Sequence, residues 1–225
     1  MIKKKAIKKY NYIKNIAIIV ACGDSLRFNS VYPKQYTELY GEILINHTIK
    51  NFLKNHEIGL VLLVLNKKHK KFFKKIIKNN KIVRTYGGDS RQKSVFYGLK
   101  FINKFNPKNI LIHDANRPFV DTKLISQIFK RLKEFKAVVP RIKIQDTIKK
   151  IEINKISSIN RDKIFALQTP QGFNFKELLK KHRKTNIKNF TDDSSLFDNK
   201  NKELKYINGS NENIKITDKN DLIFA

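Results

Sequence analysis

Apolar runs and amphipathic stretches alternate along most of this chain. Ile16-Ala-Ile-Ile-Val20 is an unbroken apolar run and predicts a buried strand. Ile45, Thr48, Ile49, Phe52 and Leu53 recur at i, i+3, i+4, i+7 and i+8, the spacing of a helix with one buried face. Gly59 to Leu65 is again continuously apolar, as in a parallel strand covered on both sides. From Lys67 to Asn79, Phe72, Phe73, Ile76 and Ile77 share a face among lysines. A crossover helix with a solvated outer face is preferred there to a membrane-surface helix, because the stretch lies between two strand signals. Ile82 to Thr85 predicts a short strand, and Val95, Leu99 and Ile102 the buried stripe of a helix. Asn109 to His113 and Ala137 to Pro140 predict two more strands, separated by a helix carrying Leu124, Ile125, Ile128, Phe129 and Leu132. This βαβ rhythm predicts an α/β fold with a single doubly wound, mostly parallel sheet.

The period changes at Arg141. Between there and Asn160, Ile142, Ile144, Ile151, Ile153 and Ile156 alternate with polar residues, with a turn near Asn154. A period of two predicts a projecting β arm. Beyond it a helix is expected around Phe175 to His182, and Thr191 as an N-cap ahead of two acids. Lys215 falls on an expected short strand, and Thr217-Asp218 on the cap of a terminal helix. No repeat and no flexible linker divides the chain. The expected organisation is a basic extension over residues 1–15, then one domain over 16–225 with its arm at about 141–160.

Composition narrows the picture. The chain has 225 residues, which suits one α/β core. Its net charge of +29, from 48 Lys plus Arg against 19 Asp plus Glu, raises nucleic acid or anionic membrane as partners. That reading is set aside: the charge is spread over lysine-rich helix exteriors, and no nucleic-acid-binding motif accompanies it. Such a field still draws in anionic substrates. The single cysteine, Cys22, excludes an intramolecular disulfide and fits a reducing, cytoplasmic setting. The Lys-rich start, the apolar run and Cys22 imitate a lipoprotein signal, but the run is short and Lys14 and Asn15 interrupt what precedes it. No stretch reaches the roughly 18 apolar residues of a membrane span.

Candidate chemistry sits where strands end. After the first strand the chain turns through Gly23 into a polar loop with Arg27 and Lys34, two cations suited to a polyphosphate. Successive loop N–H groups can cradle phosphate oxygens, and Pro33 fixes φ just before Lys34. Gly87-Gly-Asp-Ser90 reads as a turn and helix N-cap, whose N–H groups and dipole favour an electronegative ligand group. Asp114 follows a strand end, where an acid can bind a ribose hydroxyl or a metal carried by triphosphate. His113 beside it is expected only to satisfy local hydrogen bonds.

Eight motifs then occur in order: A-C-G-D-S-L-R, P-K-Q-Y, G-G-D-S-R-Q-K-S-V, I-H-D-A-N-R-P, Q-D-T-I, N-R-D, L-Q-T-P-Q and N-I-K-I-T-D. Together they resemble the 2-C-methyl-D-erythritol 4-phosphate cytidylyltransferases of the non-mevalonate isoprenoid pathway, from about Ala17 to the end. The resemblance implies a Rossmann-like nucleotidyltransferase fold and transfer of CMP from CTP to a polyol phosphate, with release of pyrophosphate. It implies that Arg27 and Lys34 stabilise charge at the α-phosphate. Ala21, Cys22, Gly23, Gly88, Asp89 and Ser94 would hold the cytosine, and Asp114 and Ala115 would lie by the ribose and the metal-bearing phosphates. Thr147, Arg161, Thr169 and Lys215 would bind and aim the methylerythritol phosphate, with Arg161 and Lys215 counted among the catalytic groups. Arg117 of the R-P pair joins the substrate-binding set. Mg²⁺ would arrive mainly on CTP, with Asp114 its one candidate protein ligand.

Some positions depart from that pattern: Cys22 and Ser25 in the loop, Leu26 and Phe28 around Arg27, and Asn116 after H-D-A. The sequence ends soon after the last motif, so no fused cyclodiphosphate synthase is expected. The neighbouring alternative is a ribitol-5-phosphate cytidylyltransferase, which shares the loop and the aspartate motif. The alternating isoleucines of the arm need cover, and a homodimer with shared sites is expected. Thr147 and Arg161 would then serve the partner's site, and Lys34 and Lys215 their own. Neither nucleic acid nor membrane is expected as a partner.

Overall fold

The computed structural model describes residues 12–24, 32–153, 155–187, 190–197 and 203–225. In chain order the strands and helices are β1 (Asn15–Ala21), β2 (Glu38–Leu39), β3 (Glu42–Ile43), α1 (Leu44–Lys54), β4 (Leu60–Leu65), β5 (Ile82–Tyr86), α2 (Arg91–Ile102), β6 (Asn109–Asp114), α3 (Thr122–Arg131), β7 (Ala137–Lys143), β8 (Ile148–Glu152), β9 (Lys155–Ile159), β10 (Phe165–Leu167), β11 (Gln171–Asn174), α4 (Phe175–Lys184), β12 (Leu204–Asn208) and α5 (Lys219–Phe224).

The main sheet runs β10-β7-β11-β6-β1-β4-β5, with β12 also paired to β7. Strands β6, β1, β4 and β5 are mutually parallel, and β12 is parallel to β7. Among the described residues, β10 and β11 alone run antiparallel within it. Because strand side chains alternate, each central strand feeds two cores. Ala17, Ile19, Val61 and Leu63 meet α1 and α3 through Ile45, Ile49, Phe52, Ile125 and Ile128. Ile16, Ile18, Leu62, Ile110 and Ile112 meet α2 and α4 through Val95, Leu99, Ile102 and Leu178. Each such fully buried aliphatic side chain stabilises the fold by about 1.5–3 kcal/mol before entropy is counted. The fold is thus the expected α/β type, a mostly parallel sheet with helices on both faces.

The strand order reverses beside β1: β4 and β5 extend the sheet on one side and β6 on the other. The register sets Val20 against Asp114, so the carboxyl ends of β1 and β6 finish together. This is the place where open α/β sheets form a crevice.

Several local expectations are corrected. Residues 67–75 form a 3₁₀ segment rather than an α-helix, broken at His69 (φ −94, ψ 17). The Asn66 side chain caps it, and His69 turns inward beside Gln35 and Asp24. Thr191 is not a cap; Asp192 caps a 3₁₀ turn over Asp193–Leu196. Lys215 is not on a strand: Ile216 instead donates its N–H to Asn116 O at 2.9 Å, and Asn116 Nδ2 donates to Ile216 O. Asp218 does cap the terminal helix, in a capping box with Asp221. The extension expected to reach residue 15 is anchored from Ile13, which is buried and donates its N–H to Phe105 O at 3.0 Å. Ile142 belongs to the main sheet, whereas β8 and β9 pair only with each other as the arm. Ile151, Ile153 and Ile156 on that arm are 77%, 95% and 69% exposed. The turn expected at Asn154 lies outside the described residues.

Candidate active site

A cleft of about 380 Å³ opens at the joint ends of β1 and β6. Its walls are the exit of β1 (Ala21, Cys22, Gly23, Asp24), the start of α2 (Gly88, Asp89, Ser90, Arg91), the end of β6 (Asp114, Ala115, Asn116), and Lys34, Gln35 and Lys215. Nine residues expected in the site from sequence therefore converge: Ala21, Cys22, Gly23, Lys34, Gly88, Asp89, Asp114, Ala115 and Lys215. Arg27 lies outside the described residues, as does Ser25.

Local chemistry explains each wall. Gln35 Nε2 donates to Ala21 O at 3.1 Å and Gly23 O at 3.2 Å, tying the turn that carries Lys34 to the end of β1. Among the described residues, a Cβ added at Gly23 would meet nothing within 4 Å. At Gly87 a Cβ would lie 2.2 Å from Cys22 Sγ and 2.5 Å from Ser94 Oγ, so only glycine lets α2 start this close to β1. Ser90 caps α2 by accepting the Lys93 N–H. The helix therefore presents its positive end at the cleft, which suits an anionic or electronegative ligand group. Ser94 is fully buried, and its Oγ lies 3.1 Å from Gly88 N, whose hydrogen it accepts. It shapes the glycine turn and does not line the cleft.

Asp114 is the electrostatic centre. Lys215 Nζ donates to its Oδ2 at 2.7 Å, and Arg91 Nε stands 3.5 Å from Oδ1. Burial opposes ionisation of this carboxyl, but the charges of Arg91, Lys215 and Arg117 outweigh it and hold it well below the usual carboxylate range. Arg91 also donates from Nη1 to Asp193 Oδ2 at 2.6 Å. Burial acts to lower its pKa, and Asp193 and Asp114 overcome that and raise it. The Cys22 thiol is pushed up by burial and donates to Val64 O at 3.1 Å, so it is not an activated nucleophile.

Thr169 and Arg117 stand behind the cleft. His113 Nε2 faces Arg117 O at 3.0 Å, and a carbonyl can only accept, so the proton of the neutral ring sits on Nε2. Nδ1 is then the acceptor for Thr169 Oγ1 at 3.1 Å, and the same hydroxyl oxygen accepts the Asp114 N–H at 3.2 Å. Burial lowers the His113 pKa to about 4, so the ring is neutral near pH 7. His113 thus has the structural role expected of it. Arg117 is buried and donates to Asn213 O at 2.6 Å, bracing the segment that carries Lys215. Thr169 and Arg117 thus support the floor of the cleft and do not line it within one chain. Thr147 and Arg161 are exposed at the arm, and Arg161 donates to Gln145 O; neither lines this cleft within one chain.

The sequence reading assigned no role to Arg91, Gln35, Gln168 or Asn213. Arg91 lies within G-G-D-S-R-Q-K-S-V and Gln35 within P-K-Q-Y, and those motifs are the available signal. Gln168 and Asn213 also lie within motifs, but their role is a backbone clamp: Gln168 Nε2 donates to Ser210 O and Asn213 Nδ2 to Thr169 O, both at 2.8 Å.

The crevice, the capped helix start and the cations around Asp114 define the class: an α/β protein whose strand-end cleft suits an anionic ligand. A family model for 2-C-methyl-D-erythritol 4-phosphate cytidylyltransferase (IspD) matches residues 15–225. The chain belongs to that cytidylyltransferase family. It is 42% identical over 225 residues to the bifunctional enzyme IspD/IspF of Wolbachia pipientis wMel, covering 97% of this chain and 55% of that protein. It therefore spans about half the length of that relative. It is 38% identical to the 2-C-methyl-D-erythritol 4-phosphate cytidylyltransferase of Clostridioides difficile strain 630, covering 92% of this chain and 90% of that one. The crystal structure of 4-diphosphocytidyl-2C-methyl-D-erythritol synthase from Anaerococcus prevotii DSM 20548 superposes with a TM-score of 0.80 at 31% identity, covering 99% and 97% of the two chains. Among the described residues no helix is long and apolar enough to cross a membrane.

Proposed function

We propose that this chain transfers CMP from CTP to 2-C-methyl-D-erythritol 4-phosphate, giving 4-diphosphocytidyl-2-C-methyl-D-erythritol and pyrophosphate. A phosphate oxygen of the acceptor attacks the α-phosphorus of CTP. The new P–O bond forms as the bond from the α-phosphorus to the α,β-bridging oxygen breaks, and pyrophosphate leaves with the electron pair. The observation that carries this reading is the convergence of Lys34, Lys215 and the α2 N-terminus on one cleft around Asp114. An anionic nucleophile needs no general base, so positioning and charge stabilisation suffice.

Lys34, with Arg27, would stabilise the charge that develops at the α-phosphate, and Lys215 would aim the acceptor phosphate. Backbone groups at Gly23 and Gly88 would read the cytosine edge. Both Asp114 oxygens face cations, so a metal contact there would have to take the place of Lys215 or Arg91 at one oxygen. Among the described residues no group of three or more metal-ligating side chains gathers. Mg²⁺ would arrive on the triphosphate and would neutralise phosphate charge there, with Asp114 the one carboxylate that could touch it.

The working unit is a homodimer. The three exposed isoleucines of the arm would be covered by a second chain, and Thr147 and Arg161 would complete the partner's pocket. The test is pyrophosphate release from CTP across a panel of polyol phosphates. Release with methylerythritol phosphate supports the reading; release only with ribitol 5-phosphate replaces the acceptor.

A further inference from the structure

A chain of paired groups leads away from the cleft into the protein. Arg91 faces Asp114 through Nε and Asp193 through Nη1. Asp193 is fully buried, and its second oxygen accepts a hydrogen bond from His182 Nε2 at 3.0 Å. His182 is held in turn by Phe96, stacked at 6.1 Å with 5° between the rings, and by Phe190, edge-on at 5.3 Å. The sequence Lys215, Asp114, Arg91, Asp193, His182 alternates cation and anion up to the imidazole, and it joins five elements: the segment before α5, β6, α2, the turn at Asp193 and α4.

We infer that Asp193 is a positioning residue for the cleft: with His182 behind it, it fixes the Arg91 guanidinium, which orients the Asp114 carboxylate and through it the Lys215 ammonium. A buried ion pair is a poor way to gain stability, since desolvation consumes most of the attraction and an apolar replacement often serves as well. What it provides is geometry. A guanidinium with one nitrogen anchored on a buried carboxylate has a set plane, and its Nε then meets Asp114 from one direction only. With Oδ1 of Asp114 facing Arg91, Oδ2 is left for Lys215. Asp193 itself lines none of the cleft, so it acts through Arg91. His182 supplies the second donor that keeps the Asp193 carboxylate from rotating.

This role rests on the cytidylyl-transfer reading and makes a separate demand. Asp193→Asn should lower kcat on the order of tenfold to a hundredfold, with the KM for CTP changed within about threefold. In a Lys215→Ala background the same substitution should have almost no further effect, because the positioned group is gone. His182→Phe, which keeps a flat ring between Phe96 and Phe190, should fold and show a smaller loss that also vanishes in the Lys215→Ala background. Independently of turnover, the Arg91 Nε–H resonance should be sharp and slow to exchange in the wild type and broadened in Asp193→Asn. An equal fold-loss in both backgrounds, or an unchanged Arg91 resonance, overturns the positioning role. A wild type that transfers no cytidylyl group overturns the reading of the site, while the resonance still decides the role of Asp193.

Discussion

Lys215 and Asp114 lie 101 positions apart in sequence, and Lys215 Nζ meets Asp114 Oδ2 at 2.7 Å at the lip of the cleft. The contact depends on two supports. Asn116 clamps the backbone at Ile216 from one side, and Arg117 holds Asn213 O from below. A cation on an irregular segment is thus given a fixed place by residues flanking the end of β6.

Lys34→Ala should lower turnover by roughly a hundredfold or more, a typical loss for one charge-stabilising group. The KM for CTP should move far less, since the contact matters most in the transition state. Steady-state kinetics check this. A rise in KM with kcat unchanged would assign Lys34 to ground-state binding.

His113 gives a pH dependence of known sign. Its folded pKa of about 4 lies below the ordinary value near 6.5. The unfolded chain therefore takes up the proton first as pH falls. The stability is fully present above about pH 6.5 and is lost toward pH 4, by roughly 3 kcal/mol over the window. Urea midpoints at pH 7 and pH 5 should differ in the wild type and differ less in His113→Gln. Equal slopes for the two proteins would show that His113 is not the titrating group.

The nucleotide edge should discriminate bases. CTP and UTP exchange a donor for an acceptor at position 4, and one mismatched buried hydrogen bond costs about 1–3 kcal/mol. CTP should be preferred by roughly five- to a hundredfold in kcat/KM. Equal use of the two would place the base elsewhere than at Gly23 and Gly88.

Much of this was legible in the sequence, and the failures have physical causes. Strands β1, β4 and β6 are buried on both faces and read as unbroken apolar runs, while α1 and α3 show their stripe because one face stays wet. Residues 67–75 carry an apolar face as a helix would, yet the Asn66 cap and the inward turn of His69 break the period. Ile214 and Ile216 flank Lys215 like a strand, but the Asn116 side chain takes the place of a neighbouring strand. Seven of the nine cleft residues lie where β1 or β6 ends or α2 begins, which is why they were legible, whereas Lys34 and Lys215 were marked only by the motifs they sit in. The Arg91–Asp193–His182 set was not legible, because its members are joined only by packing of α2, α4 and the turn after them. No local pattern marks a buried carboxylate whose partner is 102 positions away.

Shared sites have a distinct signature. When Lys34→Ala and Arg161→Ala proteins exchange subunits, each mixed dimer should hold one doubly damaged site and one intact site. Activity should then return in the mixture. Proven exchange without recovery would mean that each site is built within one chain.

The central claim is tested most directly by ³¹P NMR of the wild-type protein with CTP, Mg²⁺ and 2-C-methyl-D-erythritol 4-phosphate. The account expects the three CTP signals to give way to a coupled pair from a new asymmetric diphosphate, with pyrophosphate appearing in equal amount. Persistence of CTP beside unchanged acceptor phosphate, or formation of the diphosphate with ribitol 5-phosphate alone, would contradict it.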